Sequence, residues 1–353
     1  MYYNEDGYID VDRLMAEDKS VFKFIVGARG IGKTFGILKW LADNYRRTGE
    51  RFIYLRRTQI QTDMVKTAEL NPFKSLCNEL GKNYDFIFSN INKNVTGIYP
   101  VVYDTEKDEF VADSAPIGFM AALSTIANIR GFSGDDIHYI FYDEFIGERH
   151  EKVIRSEGTA FLNAIETIGR NRELKGGSPL NVICVSNSVN LANPLFIELK
   201  FITPIEKAIN RKQDQIFLPE RNASIYIVND SPISRKKEET SLYQLAGTSS
   251  DFSQMSLKNE FNKEYMGMVK SMSLKQFRPI CMVGELVIYK HKSELMWYIT
   301  DHLSGSPPVY DSSEIEIKRW RNDYYYLKLS YLNRHIYFES YIQQAIFEQY
   351  IKV

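Results

Sequence analysis

Short hydrophobic runs recur along the first part of the chain, and segments with helical spacing separate several of them. The runs at 23–26 and 51–57 flank a segment in which Ile37, Leu38 and Leu41 share one helical face. Continuous apolar runs that alternate with helices are typical of a mainly parallel sheet covered on both faces. The chain is therefore predicted to begin with an α/β domain. Further runs of this kind lie at 117–124, 137–142 and 180–185.

This pattern changes in three other segments. Residues 58–115 combine a helical stretch with short β-like runs and polar turns, which predicts an inserted hairpin region packed beside the main sheet. Residues 198–240 are polar and charged and are predicted to be an exposed linker region. Residues 241–353 contain consecutive strand-like runs followed by helical stretches rich in tyrosine and basic residues. The predicted organisation is thus a first domain at 1–197, a linker, and a smaller C-terminal α+β domain.

Composition and charge exclude several classes of protein. The chain has 353 residues, with 44 Lys and Arg against 45 Asp and Glu, so its formal net charge is −1. Proteins that coat nucleic acid through bulk charge are strongly basic, so any such contact here requires a local patch or a surface built by several subunits. The three scattered cysteines form neither a disulfide framework nor a zinc cluster. A polar, acidic N-terminus and the lack of any apolar stretch near ~18 residues predict a cytosolic protein without membrane contact.

The strongest chemical signal follows the first hydrophobic run. The segment at 27–34, GARGIGKT, matches the phosphate-binding loop G-x-x-x-x-G-K-[ST], and a helical segment comes directly after it. Glycines permit backbone angles at which successive N–H groups converge on phosphate oxygens, and the helix start adds a positive field. Lys33 is expected to reach the β- and γ-phosphates of ATP, and Thr34 is expected to bind Mg²⁺. The predicted nucleotide-binding residues of the loop are Gly27, Ala28, Arg29, Gly30, Ile31, Gly32, Lys33 and Thr34.

Charged residues end two of the other hydrophobic runs. The run at 137–142 is followed by Asp143 and Glu144. Asp143 is expected to hold the hydration shell of Mg²⁺, and Glu144 is expected to polarise the water that attacks the γ-phosphate. The second run ends in Arg56 and Arg57, which are expected either near the nucleotide or a neighbouring subunit, or as solvated charges at a strand exit.

Polar residues after two later elements complete the candidate site. Asn187 follows a buried strand and is a candidate sensor that contacts water or the γ-phosphate. Arg170 and Arg172 follow a helical segment. A guanidinium at such a place suits an arginine finger, which stabilises charge on the transferred phosphoryl group. A structural arginine cluster is the alternative interpretation.

Five motifs in a fixed order carry a family resemblance. The order of FIVGARGIGKT, RFIYLRR, DEFI, GRNRE and VICVSNSVN resembles that of the DNA-packaging (encapsidation) ATPases of phi-29-like bacteriophages. The resemblance covers about the first two hundred residues and is looser over 58–115. In the C-terminal third it is limited to the aromatic-rich composition and to the order of hairpins followed by helices. It implies an additional-strand, catalytic-glutamate P-loop ATPase that forms a homopentameric ring and pumps double-stranded DNA into a procapsid.

The resemblance also implies roles for individual residues. Arg170 falls where the family places an arginine finger that acts on the neighbouring subunit's nucleotide, and Arg172 is its neighbour in the same cluster. Arg130 occupies the place of a basic residue that reaches across the same interface, whereas Arg29 is placed to supply a charge within its own subunit. The residues that match the family's two Walker motifs are Lys33, Thr34, Asp143 and Glu144.

Partners and location follow from the same resemblance. It implies double-stranded DNA, the portal (connector) protein of the procapsid, a packaging RNA and further copies of the same chain as partners, with no membrane. It implies a protein of the host cytoplasm that is transiently present at the portal vertex.

The C-terminal domain lies where terminase large subunits carry an RNase H-like nuclease. Such a nuclease needs three or more clustered carboxylates to hold two metal ions. Glu285, Asp301 and Asp311 do not make a recognisable set, and the resemblance implies a degenerate nuclease-like domain that docks on nucleic acid or portal. Two alternatives stay open, namely a terminase-like protein with an active nuclease, and a nucleotide-gated assembly protein that scarcely hydrolyses ATP.

Overall fold

The computed structural model describes residues 1–351 except 68–69, 130–133, 135, 148–153, 155, 188–192, 229–230, 248–249, 251–252, 254–255 and 258–267. The chain divides into two compact units. Unit 1 comprises Met1–Val189 and Thr203–Glu260, and unit 2 comprises Asn190–Ile202 and Phe261–Val353. Among the described residues, no helix is both long and apolar enough to cross a membrane.

Unit 1 is built on one mixed sheet of ten strands. In spatial order they run β3-β4-β6-β2-β7-β8-β1-β10-β9, with β5 paired to β4. These strands are β1 (Phe22–Gly27), β2 (Arg51–Arg56), β3 (Phe86–Asn92), β4 (Val95–Asp104), β5 (Glu109–Ala112), β6 (Gly118–Ala122), β7 (Ile137–Asp143), β8 (Asn181–Ser186), β9 (Gln215–Leu218) and β10 (Ala223–Val228). The six neighbours from β6 to β10 are parallel, so their carboxyl ends meet at one edge, where α/β folds bind ligands. The predicted α/β class is confirmed.

Helices cover this sheet. Ile37, Leu38 and Leu41 are buried in one core cluster with strand residues such as Ile25 and Phe141, which confirms the helical face predicted from their spacing. The helices up to residue 246 are α1 (Val11–Glu17), α2 (Lys33–Thr48), α3 (Gln59–Val65), α4 (Pro72–Leu80), α5 (Glu157–Gly169), α6 (Pro194–Glu198, in unit 2), α7 (Ile202–Asn210), α8 (Pro232–Lys237) and α9 (Ser241–Ala246). Short 3₁₀ helices lie at Lys82–Tyr84, Leu123–Ile129, Glu173–Lys175 and Pro219–Arg221.

Two predictions about organisation need correction. The hairpin predicted within 58–115 is present, but β4 pairs antiparallel with β6, so the hairpin extends the main sheet instead of packing beside it. The predicted linker at 198–240 contains β9 and β10, which complete the other side of the same sheet. All six residues of β10 are buried, whereas the charged residues that suggested a linker lie in the turns and short helices around it. Unit 1 therefore continues to about residue 260, past the predicted boundary at 241.

Unit 2 contains a second, five-stranded sheet with helices. Its strands run in the order β14-β11-β12-β13-β15, in which β11 to β13 are antiparallel neighbours. Its core is aromatic, with Trp297, Trp320, Phe338 and Phe347 buried together. The elements are β11 (Phe277–Val283), β12 (Leu286–His291), β13 (Trp297–Thr300), β14 (Val309–Tyr310), α10 (Glu314–Asp323), α11 (Tyr326–Leu332), β15 (Ile336–Phe338), α12 (Tyr341–Ile351) and a 3₁₀ helix at Leu274–Gln276. The predicted α+β composition of this domain is confirmed.

Candidate nucleotide site

The phosphate-binding loop joins β1 to α2 at the carboxyl edge of the unit 1 sheet. Gly30 and Gly32 have left-handed backbone angles, with φ of +64° and +88°, which glycine adopts without steric cost. Ile31 between them is fully buried, and its carbonyl accepts a hydrogen bond from the Ile9 N–H at 3.0 Å. Arg29 is exposed at the crest beside Gly30. A buried side chain thus anchors the loop while its crest stays accessible to a ligand.

Lys33 lies behind this loop and is only 7% exposed. Its ammonium donates to the carbonyls of Gly27 at 2.9 Å and Ala28 at 2.7 Å, and to Asn187 Oδ1 at 3.2 Å. Burial lowers the pKa of Lys33 to about 7, and the nearby Asp143 carboxylate opposes that shift. The structure therefore brings the two predicted phosphate contacts together, Lys33 from the start of α2 and Asn187 from the residue after β8.

Asp143 ends β7 and is 2% exposed. Its Oδ1 accepts from the Thr34 hydroxyl at 3.0 Å, and its Oδ2 accepts from the Tyr54 hydroxyl at 2.8 Å and from Arg56 Nη1 at 3.0 Å. A buried carboxylate needs such partners, because removing a charge from water is costly. The hydroxyl of Thr34 and the carboxylate of Asp143 are the hard oxygen donors that Mg²⁺ prefers, so the predicted metal pair fits that ion.

Glu144 follows at the point where the chain leaves β7. Its backbone is left-handed, with φ of +53°, which is uncommon for a residue with a side chain and turns the chain sharply. The side chain is half-exposed, and Arg56 Nη2 donates to it. One guanidinium therefore bridges the candidate metal-binding acid Asp143 and the candidate base Glu144.

The neighbouring Arg57 points to the other face of β2. Its guanidinium forms a two-pronged ion pair with Glu157, at 2.7 Å from Nε to Oε1 and 2.9 Å from Nη2 to Oε2, and both side chains are buried. The Tyr142 hydroxyl also donates to Glu157 Oε1, at 3.1 Å. Because Glu157 is the first residue of α5, this pair holds that helix to the sheet directly beside the nucleotide site. Of the two alternatives predicted for the paired arginines, Arg56 fits the position near the nucleotide site, and Arg57 fits neither because it is a buried structural residue.

Arg170 and Arg172 lie at the opposite edge of the sheet. Arg172 donates to four backbone carbonyls, including those of Gly134 at 2.7 Å and Ile137 at the start of β7. Arg170 caps the end of α5 with φ of +45° and is exposed. The seven residues of β7 span about 20 Å, so Arg170 is too far to reach Asp143 of its own chain. Arg172 is thus a structural clamp, and Arg170 is the arginine presented to the outside.

Sequence reasoning missed three residues, and one predicted residue lies outside the described range. Tyr54 shares a face of β2 with Arg56 by two-residue alternation, a signal that was available in the sequence. Glu157 and Lys237 had no local signal, because the chain brings them to β2 and the phosphate loop from a distance. Lys237 Nζ donates to the Arg29 carbonyl at 2.8 Å. The predicted residue Arg130 lies outside the described residues.

The chain is similar to known phage proteins over nearly its whole length. A family model described as podovirus DNA encapsidation protein (Gp16) matches residues 1–297. The DNA packaging protein of Bacillus phage phi29 is 24% identical, over 98% of this chain and 96% of its own length. The DNA packaging protein of Bacillus phage B103 is 25% identical, over 92% of this chain and 95% of its own length.

Two solved structures resemble the chain over 98% of its length and 98% of their own. One is described as the bacteriophage Phi-29 viral genome packaging motor assembly, with a TM-score of 0.63 and 20% identity. The other is described as the Phi-28 gp11 DNA packaging motor, with a TM-score of 0.62 and 19% identity. At these identities the likeness is one of fold, and it extends through both units.

Proposed function

Because the chain belongs to the family of podovirus DNA encapsidation proteins, we propose that it hydrolyses ATP and uses that reaction to move double-stranded DNA into a procapsid. The observation that carries the ATPase activity is the convergence of Lys33, Thr34, Asp143 and Glu144 at one edge of a parallel sheet. These residues come from two places, the start of α2 and the end of β7, and 109 residues separate Thr34 from Asp143, so their assembly is not a consequence of any single local motif.

Each of these residues has a task that its position supports. The loop N–H groups and Lys33 bind the phosphates of ATP, and Thr34 with Asp143 hold Mg²⁺. When bound, Mg²⁺ supplies positive charge that offsets the charge developing on the phosphoryl oxygens. Glu144, once released by Arg56, orients the attacking water and accepts its proton. Asn187 lies beside Lys33 and is placed to contact the γ-phosphate.

The remaining charge on the transferred phosphoryl group requires an arginine from another subunit. Arg170 is exposed at the sheet edge opposite its own phosphate loop, so it is available to a neighbouring copy and unavailable to its own site. An arginine supplied in this way typically contributes ~10³–10⁵ in rate. We therefore infer that the active assembly is a ring of five identical subunits at the portal of a procapsid in the host cytoplasm.

DNA and RNA contacts are inferred at the level of this assembly. With a net charge of −1, one subunit neutralises few phosphates, and counterion release gives it little affinity for DNA. A ring collects one patch per subunit and gains avidity. DNA affinity should therefore rise with protein concentration and with a non-hydrolysable ATP analogue, and a packaging RNA and the portal are the further partners to test. Tight binding by a demonstrated monomer would contradict this inference.

The deciding experiment is phosphate release with and without linear double-stranded DNA. The wild-type protein should hydrolyse ATP faster with DNA, and Arg170→Ala should bind ATP normally but turn it over poorly. Lys175→Ala, an exposed cation five residues further on, is the matched control and should behave like wild type. Mixing Arg170→Ala with Glu144→Gln subunits should restore part of the activity, because some interfaces then pair an intact site with an intact arginine. If mixed rings form and no ratio restores turnover, Arg170 does not act between subunits.

A further inference from the structure

Lys237 lies on the phosphate loop although it belongs to the segment predicted to be a linker. Its Nζ donates to the Arg29 carbonyl at 2.8 Å. The same atom fills the space of a side chain on Gly30, since a Cβ built there would lie 2.1 Å from Nζ. A second ammonium, besides that of Lys33, is therefore in contact with the loop that binds phosphate.

The position of Lys237 is set by packing around the short helix α8. Ser231 and Ser234 at the start of this helix are buried, and the Ser231 hydroxyl accepts from the Ser234 N–H at 3.2 Å. Pro232 packs so tightly on Gly7 that a Cβ on that glycine would lie 2.8 Å from the proline Cβ. The Gly7 segment continues to Ile9, which is hydrogen-bonded to the phosphate loop. Helix α8, the N-terminal segment and the loop thus form one packed layer.

Lys33 and Lys237 both donate hydrogen bonds to backbone carbonyls of the phosphate loop. Each ammonium is held by carbonyl oxygens of the loop, Lys33 by Gly27 and Ala28 and Lys237 by Arg29. A phosphate oxygen is a better acceptor for an ammonium than a neutral carbonyl, because its negative charge adds Coulomb attraction to the hydrogen bond. Burial lowers the pKa of Lys237, as expected for a cation that is partly removed from water. Both lysines therefore gain by exchanging a loop carbonyl for a phosphate.

We propose that Lys237 is a second phosphate-binding lysine, which leaves the Arg29 carbonyl and binds the polyphosphate of ATP in its own subunit. This inference rests on the proposed ATPase function and adds a residue outside both Walker motifs to the site. It also gives α8 a role, since the helix moves its lysine between two states that depend on the nucleotide.

The test measures equilibrium binding of a fluorescent ATP analogue with Mg²⁺. Lys237→Ala should weaken binding about tenfold, the lower end for loss of a hydrogen bond to a charged group, because the lysine is half-buried. Lys236→Ala is the matched control, because that lysine is exposed and donates to the Asp6 carbonyl at 3.2 Å. It should bind within twofold of wild type.

Lys237→Gln separates a role in phosphate binding from a structural one. Glutamine keeps an N–H donor for the Arg29 carbonyl but loses the positive charge, so the proposal requires the same tenfold loss with an unchanged melting temperature of the nucleotide-free protein. Wild-type affinity in Lys237→Gln, or tighter binding in Lys237→Ala, would show that the lysine only braces the empty loop and would overturn the proposal. Failure of the proposed function is distinguishable, because wild type itself would then show no binding that depends on Lys33.

Discussion

Both units place acidic side chains at the carboxyl ends of parallel strands, but the two edges differ in what surrounds those acids. In unit 1, Asp143 is almost fully buried and receives three hydrogen bonds. In unit 2, Asp301 follows β13 and Glu339 follows β15, with His302 between them in space. Asp301 and His302 are exposed, and this trio is the only potential metal-binding group of three among the described residues.

The difference shows which surroundings distinguish the acid of the candidate nucleotide site from other acids that follow strands. Burial of Asp143 is unfavourable by itself, so the fold supplies Arg56, Tyr54 and Thr34 as partners. In unit 2, Asp301 is exposed, and the half-buried Glu339 accepts a hydrogen bond from the Thr300 hydroxyl. Glu285 and Asp311, which sequence reasoning also considered, do not join the unit 2 trio. The edge of unit 1 therefore holds a buried carboxylate with several partners, whereas the edge of unit 2 holds a largely exposed group of two acids and a histidine.

The largest expected effect comes from the acid that follows Asp143. Glu144→Gln should lower ATP turnover by on the order of 10²–10⁴ while ATP binding persists, because the carboxylate matters for water attack. Lys33→Ala should instead abolish ATP binding, since the proposed role of its ammonium is to bind the phosphates in the ground state. Phosphate release and titration with a fluorescent ATP analogue measure the two effects. Equal loss of binding in both variants would refute this division of labour.

A second prediction concerns the buried ion pair behind the site. Glu157→Ala should reduce the stability of unit 1 by about 3–5 kcal/mol, because it removes the buried carboxylate that forms a two-pronged ion pair with the Arg57 guanidinium. Hydrogen exchange of the β7 amides measures this local stability. Asp301→Ala in unit 2 is the control and should change stability by less than about 0.5 kcal/mol. Similar losses of stability in the two variants would contradict the proposed difference between the two sheet edges.

A third prediction uses the pKa of Lys33. In the free protein this lysine loses its proton above about pH 7, whereas bound polyphosphate favours the charged form. Lys237 and Arg29 favour proton loss in the free state, and Asp143 and Glu144 oppose it. Binding at pH 8 should therefore take up close to one proton, and affinity should fall as the pH rises from 7 to 9. Calorimetry in two buffers of different ionisation enthalpy measures the uptake, which should disappear in Lys33→Arg because arginine stays charged.

The smallest expected effect is in unit 2. The double variant Asp301→Asn, Glu339→Gln should leave ATP turnover unchanged, and purified wild-type protein should not nick plasmid with Mg²⁺ or Mn²⁺. Agarose electrophoresis detects nicking directly. Nicking that disappears in the double variant would establish a metal centre in unit 2 and restore the terminase-like nuclease as the better description.

Local patterns were sufficient to predict the central sheet and the residues that follow its strands. The loop at Gly27–Thr34 and the acids after β7 are each encoded within a few residues, so their roles could be inferred from spacing. The part played by Glu157 could not be inferred in this way, because it depends on a contact across 100 residues of chain. The same holds for Lys237, whose contact with the loop spans 208 residues. The strand β10 was not predicted, because charged residues in the neighbouring turns and short helices dominate the composition of segment 198–240.

Arg170 lies a full strand length from its own phosphate loop, and we propose that it acts on the site of a neighbouring subunit. A mutation in one gene copy should therefore reduce the activity of subunits made from another copy. In a cell infected by two phages, an Arg170→Ala allele would give subunits that bind ATP and enter rings but deprive their neighbours of the arginine. Such an allele should be dominant negative in phage yield, whereas an allele whose product fails to fold should be recessive. Two alleles that are each inactive, one at Arg170 and one at Glu144, should complement one another in part.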